Sequence, residues 1–144
     1  MSHHELKDAL REMRWVEETE RFGLVGFEGP PSVEDLELAG AEPTSQLVRE
    51  SGATTLLLPE RCLEQLIERH PEAEIERGLY WIRFEAPMAW DLVGFLAHVS
   101  AALAEAGVPI GVVCSFHRDH LFVGAGSVED ARRVLTELFG PPAH

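Results

Sequence analysis

One element order, β-α-β-β-α, occurs twice along the chain and predicts an α+β fold of two units, with antiparallel strands and helices on one face. Three observations carry this. Runs of high β propensity alternate with helical stripes in the same succession in both halves. A hairpin turn, a strand and a helix recur as SGATTLLLPERCLEQLIE and HRDHLFVGAGSVEDARRVL. Each unit, at about seventy residues, buries too little surface to be comfortable alone, and pairing the two side by side covers exposed strand edges. From opening strand to hairpin turn the first copy takes 30 residues and the second 39, and the deficit falls in the first copy's first helix.

The elements follow in order. Leu6, Leu10, Met13 and Val16 form one stripe and predict a helix over 4–18. Phe22–Phe27 reads as a strand ended by Gly29-Pro30-Pro31. Ser32 caps a short helix through Leu38; with Asp35 where Glu is usual, the capping box is partial. Gln46–Glu50 and Thr54–Leu58 are strands around the turn Ser51-Gly52-Ala53. Pro59 suits a first helical position, and the helix over 60–69 stops at His70-Pro71.

Residues 72–78 read as a linker. Leu79–Ala86 is a strand, and Asp91 is placed to cap a helix carrying Leu92, Phe95, Leu96, Val99 and Leu103, with Gly107 just past its end. Val108–Phe116 and Asp119–Val123 are strands about the turn His117-Arg118. Ser127 caps a last helix through Phe139, and the tail Gly140–His144 is expected to fray. The expected organisation is an N-terminal helix (1–20), a shorter, degenerate first unit (21–71), the linker (72–78) and a second unit (79–140).

The chain has 144 residues, 12 Lys or Arg against 25 Asp or Glu, and a formal charge of −13. Residues 1–72 carry −9 and residues 73–144 carry −4, while eight of eleven aromatics lie from Tyr80 onward, so the better core is expected in the second half. A surface this acidic, without a Lys/Arg cluster, argues against nucleic acid and anionic membranes and for solubility. No apolar run approaches the ~20 residues of a membrane span, and the N-terminus lacks a signal's apolar stretch. Two cysteines, Cys62 and Cys114, make neither a disulfide framework nor a zinc ribbon; a reduced, cytoplasmic protein is expected.

At this point a resemblance enters. A strand ends in Glu-x-Pro (Glu85, Pro87), and an aromatic-Asp pair (Trp90, Asp91) opens a helix with Gly94 one turn in. An Ala-Gly-x-x-Ile connection follows (Ala106, Gly107, Ile110), then Ser-Phe-x-x-Asp-His (Ser115, Phe116, Asp119, His120) and Val123. These residues resemble the second unit of the small bacterial tandem ACT-domain proteins related to the cytosolic arginine sensors. The match covers residues 79–139; residues 22–69 match only by element order, though the hairpin-strand-Pro-Glu of Thr54–Glu60 also looks like the family's first unit, and the N-terminal helix lies outside it.

The resemblance implies a pair of ferredoxin-like βαββαβ units that bind an amino acid at the seam between them. It carries ligand contacts onto Asp91, Leu92, Val93 and Gly94, with Ser115, Phe116 and Asp119 opposite. The arginine sensors have a carboxylate where this chain has Leu92, so a neutral or apolar amino acid, or no ligand, fits better than arginine. No cofactor is implied, and a homodimer is. The chemistry agrees in outline. Free N–H groups at a helix start near Asp91–Gly94 can take a carboxylate, and Asp119 can accept from an ammonium. Against this, Asp91 also reads as a plain cap, Asp119 as a turn residue and Gly94 as a packing glycine.

Other constellations are weaker. Cys114, His117 and His120 are metal-capable, but strand alternation and a turn separate them. His3-His4 sits at a terminus. No Gly-x-Ser-x-Gly elbow exists, and Gly124–Ser127 before a helix lacks the Lys of a phosphate loop. Met88-Ala89-Trp90 reads as a hydrophobic plug. The expected function is a non-enzymatic, ligand-sensing regulatory module; a small enzyme on the same sheet and an interaction module with a decayed site are the alternatives.

Overall fold

A computed structural model describes residues 3–86 and 88–144, with the backbone alone for His3 and His4. Pro87, the proline of the Glu-x-Pro loop, lies outside the described residues. The elements are α1 (His3–Glu12), β1 (Trp15–Glu28), α2 (Val33–Ala41), β2 (Gln46–Glu50), β3 (Ala53–Pro59), α3 (Leu63–Arg69), β4 (Glu74–Phe84), α4 (Phe95–Glu105), β5 (Gly111–Cys114), β6 (Asp119–Val123) and α5 (Val128–Phe139). They form an α+β fold that divides into a continuous unit, Glu20–Leu79, and a split unit, Met1–Thr19 with Tyr80–His144.

The continuous unit has the order β1-α2-β2-β3-α3-β4, a complete βαββαβ succession, and a strand order of β2-β3-β1-β4. β2 and β3 pair antiparallel from Gln46↔Leu57 to Glu50↔Ala53, and β3 pairs with β1 from Phe22↔Pro59 to Glu28↔Ala53. Val25, Leu56, Leu58, Leu63 and Leu66 are fully buried in its core. Gly23 lets α3 come close, since a Cβ there would lie 2.3 Å from Leu63 Cδ1. Ser32 and Asp35 complete the capping box of α2 despite the short side chain: Ser32 N–H donates to Asp35 Oδ2 (2.9 Å) and Asp35 N–H donates to Ser32 Oγ (3.1 Å). Pro59 closes β3, and one 3-10 turn, Glu60–Cys62, precedes α3, so the expected helix starts three residues late.

In the split unit the strand order is β1-β4-β6-β5. Read from β4, the succession is β4-α4-β5-β6-α5, and the closing strand is the start of β1. Glu85 N–H donates to Arg14 O (2.9 Å), and Arg83 Nε donates to Glu18 Oε1 (2.5 Å). Alternation along β4 sends Ile82 and Phe84 into the core with Leu121 and Val123 of β6, and α4 and α5 cover them through Phe95, Val99, Leu103, Ala131 and Leu135. Leu6 and Leu10 bring α1 against the same core.

Several expectations are corrected. α1 ends at Glu12, not Glu18, and Trp15 and Val16 open a strand. The pair Glu17 and Arg132 (Nη2 to Oε1 2.6 Å) shows what holds this charged stretch extended. β4 begins at Glu74, so most of the expected linker is strand. β5 is shorter than Val108–Phe116. Ser127 stands at the N-cap of α5 without a side-chain cap bond. The tail does not hang free: Trp15 Nε1–H donates to Gly140 O, and Ala143 N–H donates to Trp15 O, both at 2.8 Å. Among the described residues no helix is long and apolar enough to cross a membrane.

Candidate functional site

The split unit contains a cleft between the β4–α4 loop and the β5–β6 turn. Two main-chain ties build it. Met88 N–H donates to His117 O (3.1 Å), and Leu92 N–H donates to Ala89 O (3.0 Å), folding the loop back on itself. The turn is closed by Ser115, whose N–H and Oγ both donate to Arg118 O (3.0 Å each).

The helix that borders the cleft does not start where expected. Asp91 is exposed and three residues too early; α4 begins at Phe95 with Gly94 as its N-cap, at φ +98°. A left-handed backbone there suits glycine and rotates the chain out of register with Asp91. It leaves the helix N-terminus without a side-chain cap or an acidic residue in the first turn. Among the described residues no side chain caps the first N–H groups of α4, and Gly94 to Ala97 line the cleft.

Five of the seven residues named from the sequence meet here: Leu92 and Gly94 on one side, Ser115, Phe116 and Asp119 on the other. The cleft has a volume of about 190 Å³, the space of roughly six water molecules. Asp91 and Val93 do not line it; they border a second cavity against α1. Every residue of the cleft belongs to the split unit. Gly94 also has a packing reason, because a Cβ on it would lie 2.9 Å from Leu6 Cδ2.

Sequence reasoning undervalued Trp90. It is not a plug: it is 75% exposed and stacks on Phe116, 74% exposed, with ring centroids 6.4 Å apart at 13°. Two large exposed aromatics at the mouth of a cleft are unusual for a solvated surface. The signal was in the sequence, as an aromatic immediately before Asp91 and another after Ser115.

The remaining polar residues divide, with Cys114 and His117 lining the cleft and His120 outside it. Among the described residues no three His, Cys, Asp or Glu come together as a metal site. His120 accepts at Nδ1 from Trp81 Nε1–H (3.1 Å) and does not line the cleft. Burial first, then the cations of Arg118 and Arg83, hold its pKa below the ordinary imidazole value. His117 meets Phe116 edge-on, and Cys114 is exposed.

In the continuous unit a buried ionic group appears that no sequence motif indicated. Asp35 is fully buried; Arg69 Nε donates to its Oδ1 and His70 Nε2 contacts its Oδ2, both at 2.7 Å. Burial alone would raise its pKa, but hydrogen bonds from Ser32, His70 and Arg69 outweigh this and lower it. His70 stacks on Phe27 with centroids 3.6 Å apart. These groups tie α2 to the end of α3, with Arg69 Nη2, 2.6 Å from Asp35 Oδ1, buried in the ion pair without a hydrogen bond of its own.

Residues 74–137 match the family model described as an ACT domain. No curated protein matches the chain. Among solved structures, a protein of Agobacterium tumefaciens shares 20% identity over 90% of each chain, with a TM-score of 0.71. A Vibrio cholerae protein of unknown function, described as a possible transport protein, shares 24% identity over 94% of each chain, with a TM-score of 0.66. The regulatory subunit of aspartate kinase from Thermus flavus shares 14% identity over 87% of this chain and 96% of that one, with a TM-score of 0.65. At these identities the likeness is one of fold.

Proposed function

We propose that this chain, whose residues 74–137 match the model of an ACT domain, is a non-catalytic regulatory module that binds a small neutral or apolar amino acid. The observation that supports this best is the uncapped start of α4 facing Asp119 across the cleft. The free N–H groups of the first turn and the positive end of the helix dipole receive a carboxylate. Asp119 accepts from the ammonium through a charge-assisted hydrogen bond. Leu92 and Phe116 supply apolar contact for the side chain, and Ser115 a hydroxyl. Asp91 and Val93, expected as contacts, are replaced in this reading by Leu96 and Ala97.

The aspartate kinase regulatory subunit provides the functional analogy: a comparable fold in a protein named as regulatory. Regulation requires that the ligand favour one assembly or conformation over another, a coupling of about 1–3 kcal/mol. The edge strand β5 is open to pairing in the chain taken by itself, and a homodimer through this edge is part of the proposal. The exposed Trp90–Phe116 pair favours a second reading, a protein-interaction module whose cleft is vacated by evolution.

Calorimetric titration with the twenty amino acids decides between them. Binding of a neutral amino acid to the wild type, lost by at least tenfold in Asp119→Asn, supports the sensor. Heats at baseline for all twenty, with Trp90→Ala/Phe116→Ala abolishing a dimer seen by light scattering, supports the interaction module.

A further inference from the structure

The second cavity of the split unit, about 780 Å³, lies between α1 and the β4–α4 loop. Its floor is apolar: Met13, Ala86, Met88, Leu92 and Val93, the last 70% exposed. Its rim is acidic, with Glu5, Asp8 and Glu12 from α1 and Asp91 from the loop. Among the described residues no Lys, Arg or His lines it.

The acidity is organised by the helix. Glu5, Asp8 and Glu12 stand at i, i+3 and i+7, together with Ala9, on the face that borders the groove. Leu6 and Leu10 take the core face. Lys7 stands on the remaining side, and Arg11 stands beside Asp8, its Nη1 3.8 Å from Asp8 Oδ1, so that Glu5 and Glu12 carry the helix's share of the rim charge. The carboxylates from Glu5 to Glu12 extend along about 10 Å of the helix.

From this geometry we infer that the groove is a docking site for a basic amphipathic segment of a partner protein, its apolar residues on Met88, Leu92 and Val93 and its Lys or Arg side chains on the acidic rim. The length of the rim calls for several cations spaced along one ligand, and the apolar floor for hydrophobic side chains between them. Met88, Ala89 and Leu92 line both this groove and the cleft. One loop therefore forms a wall of each, and a ligand in the cleft would bias the docking surface; this coupling rests on the amino-acid reading above, whereas the docking surface does not.

The test uses the full chain and a fluorescein-labelled dodecapeptide of Lys and Leu with Leu at every third or fourth position, titrated by anisotropy in low and physiological salt. The expected result is saturable binding that weakens with salt, falls at least tenfold in Glu5→Lys/Glu12→Lys/Asp91→Lys, and stays within threefold in Glu37→Lys/Glu68→Lys/Glu105→Lys, which changes the net charge equally elsewhere. Val93→Asp lowers it at least fivefold, and circular dichroism verifies that each variant is folded. Equal losses in the two triple variants would reduce the attraction to net charge and overturn the proposal. So would no binding in low salt, an unaffected Val93→Asp, or spermidine competing as well as the peptide. Peptide binding that persists while no amino acid binds the cleft supports the docking surface and overturns only the coupling.

Discussion

Replacing Asp35 by Ala tests the buried tie of the continuous unit. The substitution removes a fully buried carboxylate that receives the Ser32 N–H, the Arg69 guanidinium and the His70 ring. What remains is the cation of Arg69, with a side chain only 28% exposed, facing an empty site, together with an unmatched Ser32 N–H at the start of α2. Removing one partner of a buried pair costs about 3–5 kcal/mol, and loss of a cap alone about 1 kcal/mol. At the lower end, about 3 kcal/mol, amide exchange limited by opening of this unit accelerates roughly 150-fold. Tryptophan fluorescence is a poor readout, because Trp15, Trp81 and Trp90 all belong to the split unit. Hydrogen exchange on peptides covering α2 and α3 reports the change directly. The pH dependence has a fixed sign. Asp35 has a lowered pKa when folded, so its contribution is complete above the unfolded carboxyl value of about 3.9 and is lost as pH falls through the lower folded value. The gap between wild type and Asp35→Ala therefore narrows in acid below about pH 4. A gap under 1 kcal/mol at pH 7, or one that widens on acidification, would refute the reasoning.

Gly23→Ala places a Cβ 2.3 Å from Leu63 Cδ1 and should destabilise the same unit by about 1–3 kcal/mol, read by the same exchange measurement. The two thiols should differ in reactivity. Burial, then Glu42, pushes Cys62 up to about 11, whereas Cys114 is exposed; iodoacetamide at pH 7.5 should therefore label Cys114 first, with mass spectrometry locating the adduct. A fragment beginning at Glu72 lacks the Trp15–Thr19 strand that closes the split unit, and circular dichroism should show it unfolded; a peptide of residues 3–19 added in trans should restore structure.

Local signals were legible where neighbours in sequence set the structure. β2 and β6 occupy the residues their β propensity indicates, and Ser51-Gly52 turns the hairpin as expected. The capping box at Ser32 was legible too, and Asp35 fills it because the carboxyl oxygen reaches the Ser32 N–H. The boundary at Trp15 was not legible, since the stripe Leu6, Leu10, Met13 continues in register through Val16. Its partners, Arg83 for Glu18 and Arg132 for Glu17, are 65 and 115 residues away, and nothing local distinguishes a strand held by them from a charged helix. The sequence did contain one clue. The second copy reads β-α-β-β-α and lacks a sixth element, which the start of β1 supplies.

The cleft follows the same division. Its walls were legible because loop and turn are local features, and five named residues line it. The start of α4 was misplaced because Asp91 is a good cap by residue type, while the position that turns the chain is Gly94. Both roles weighed for Gly94, close approach by a ligand and helix packing, meet in the structure: it lines the cleft, and Leu6 of α1 lies against it. That contact joins the N-terminal helix, which the family resemblance left outside, to the loop that walls the cleft. Shortening Leu6 would remove the contact on Gly94 without substituting any cleft residue, and the acidic face beside Leu6 borders the groove on the loop's other side. The helix thus joins a packing contact on the cleft's Gly94 to the acidic face of the groove, and in the proposed reading this makes α1 a working part of the module.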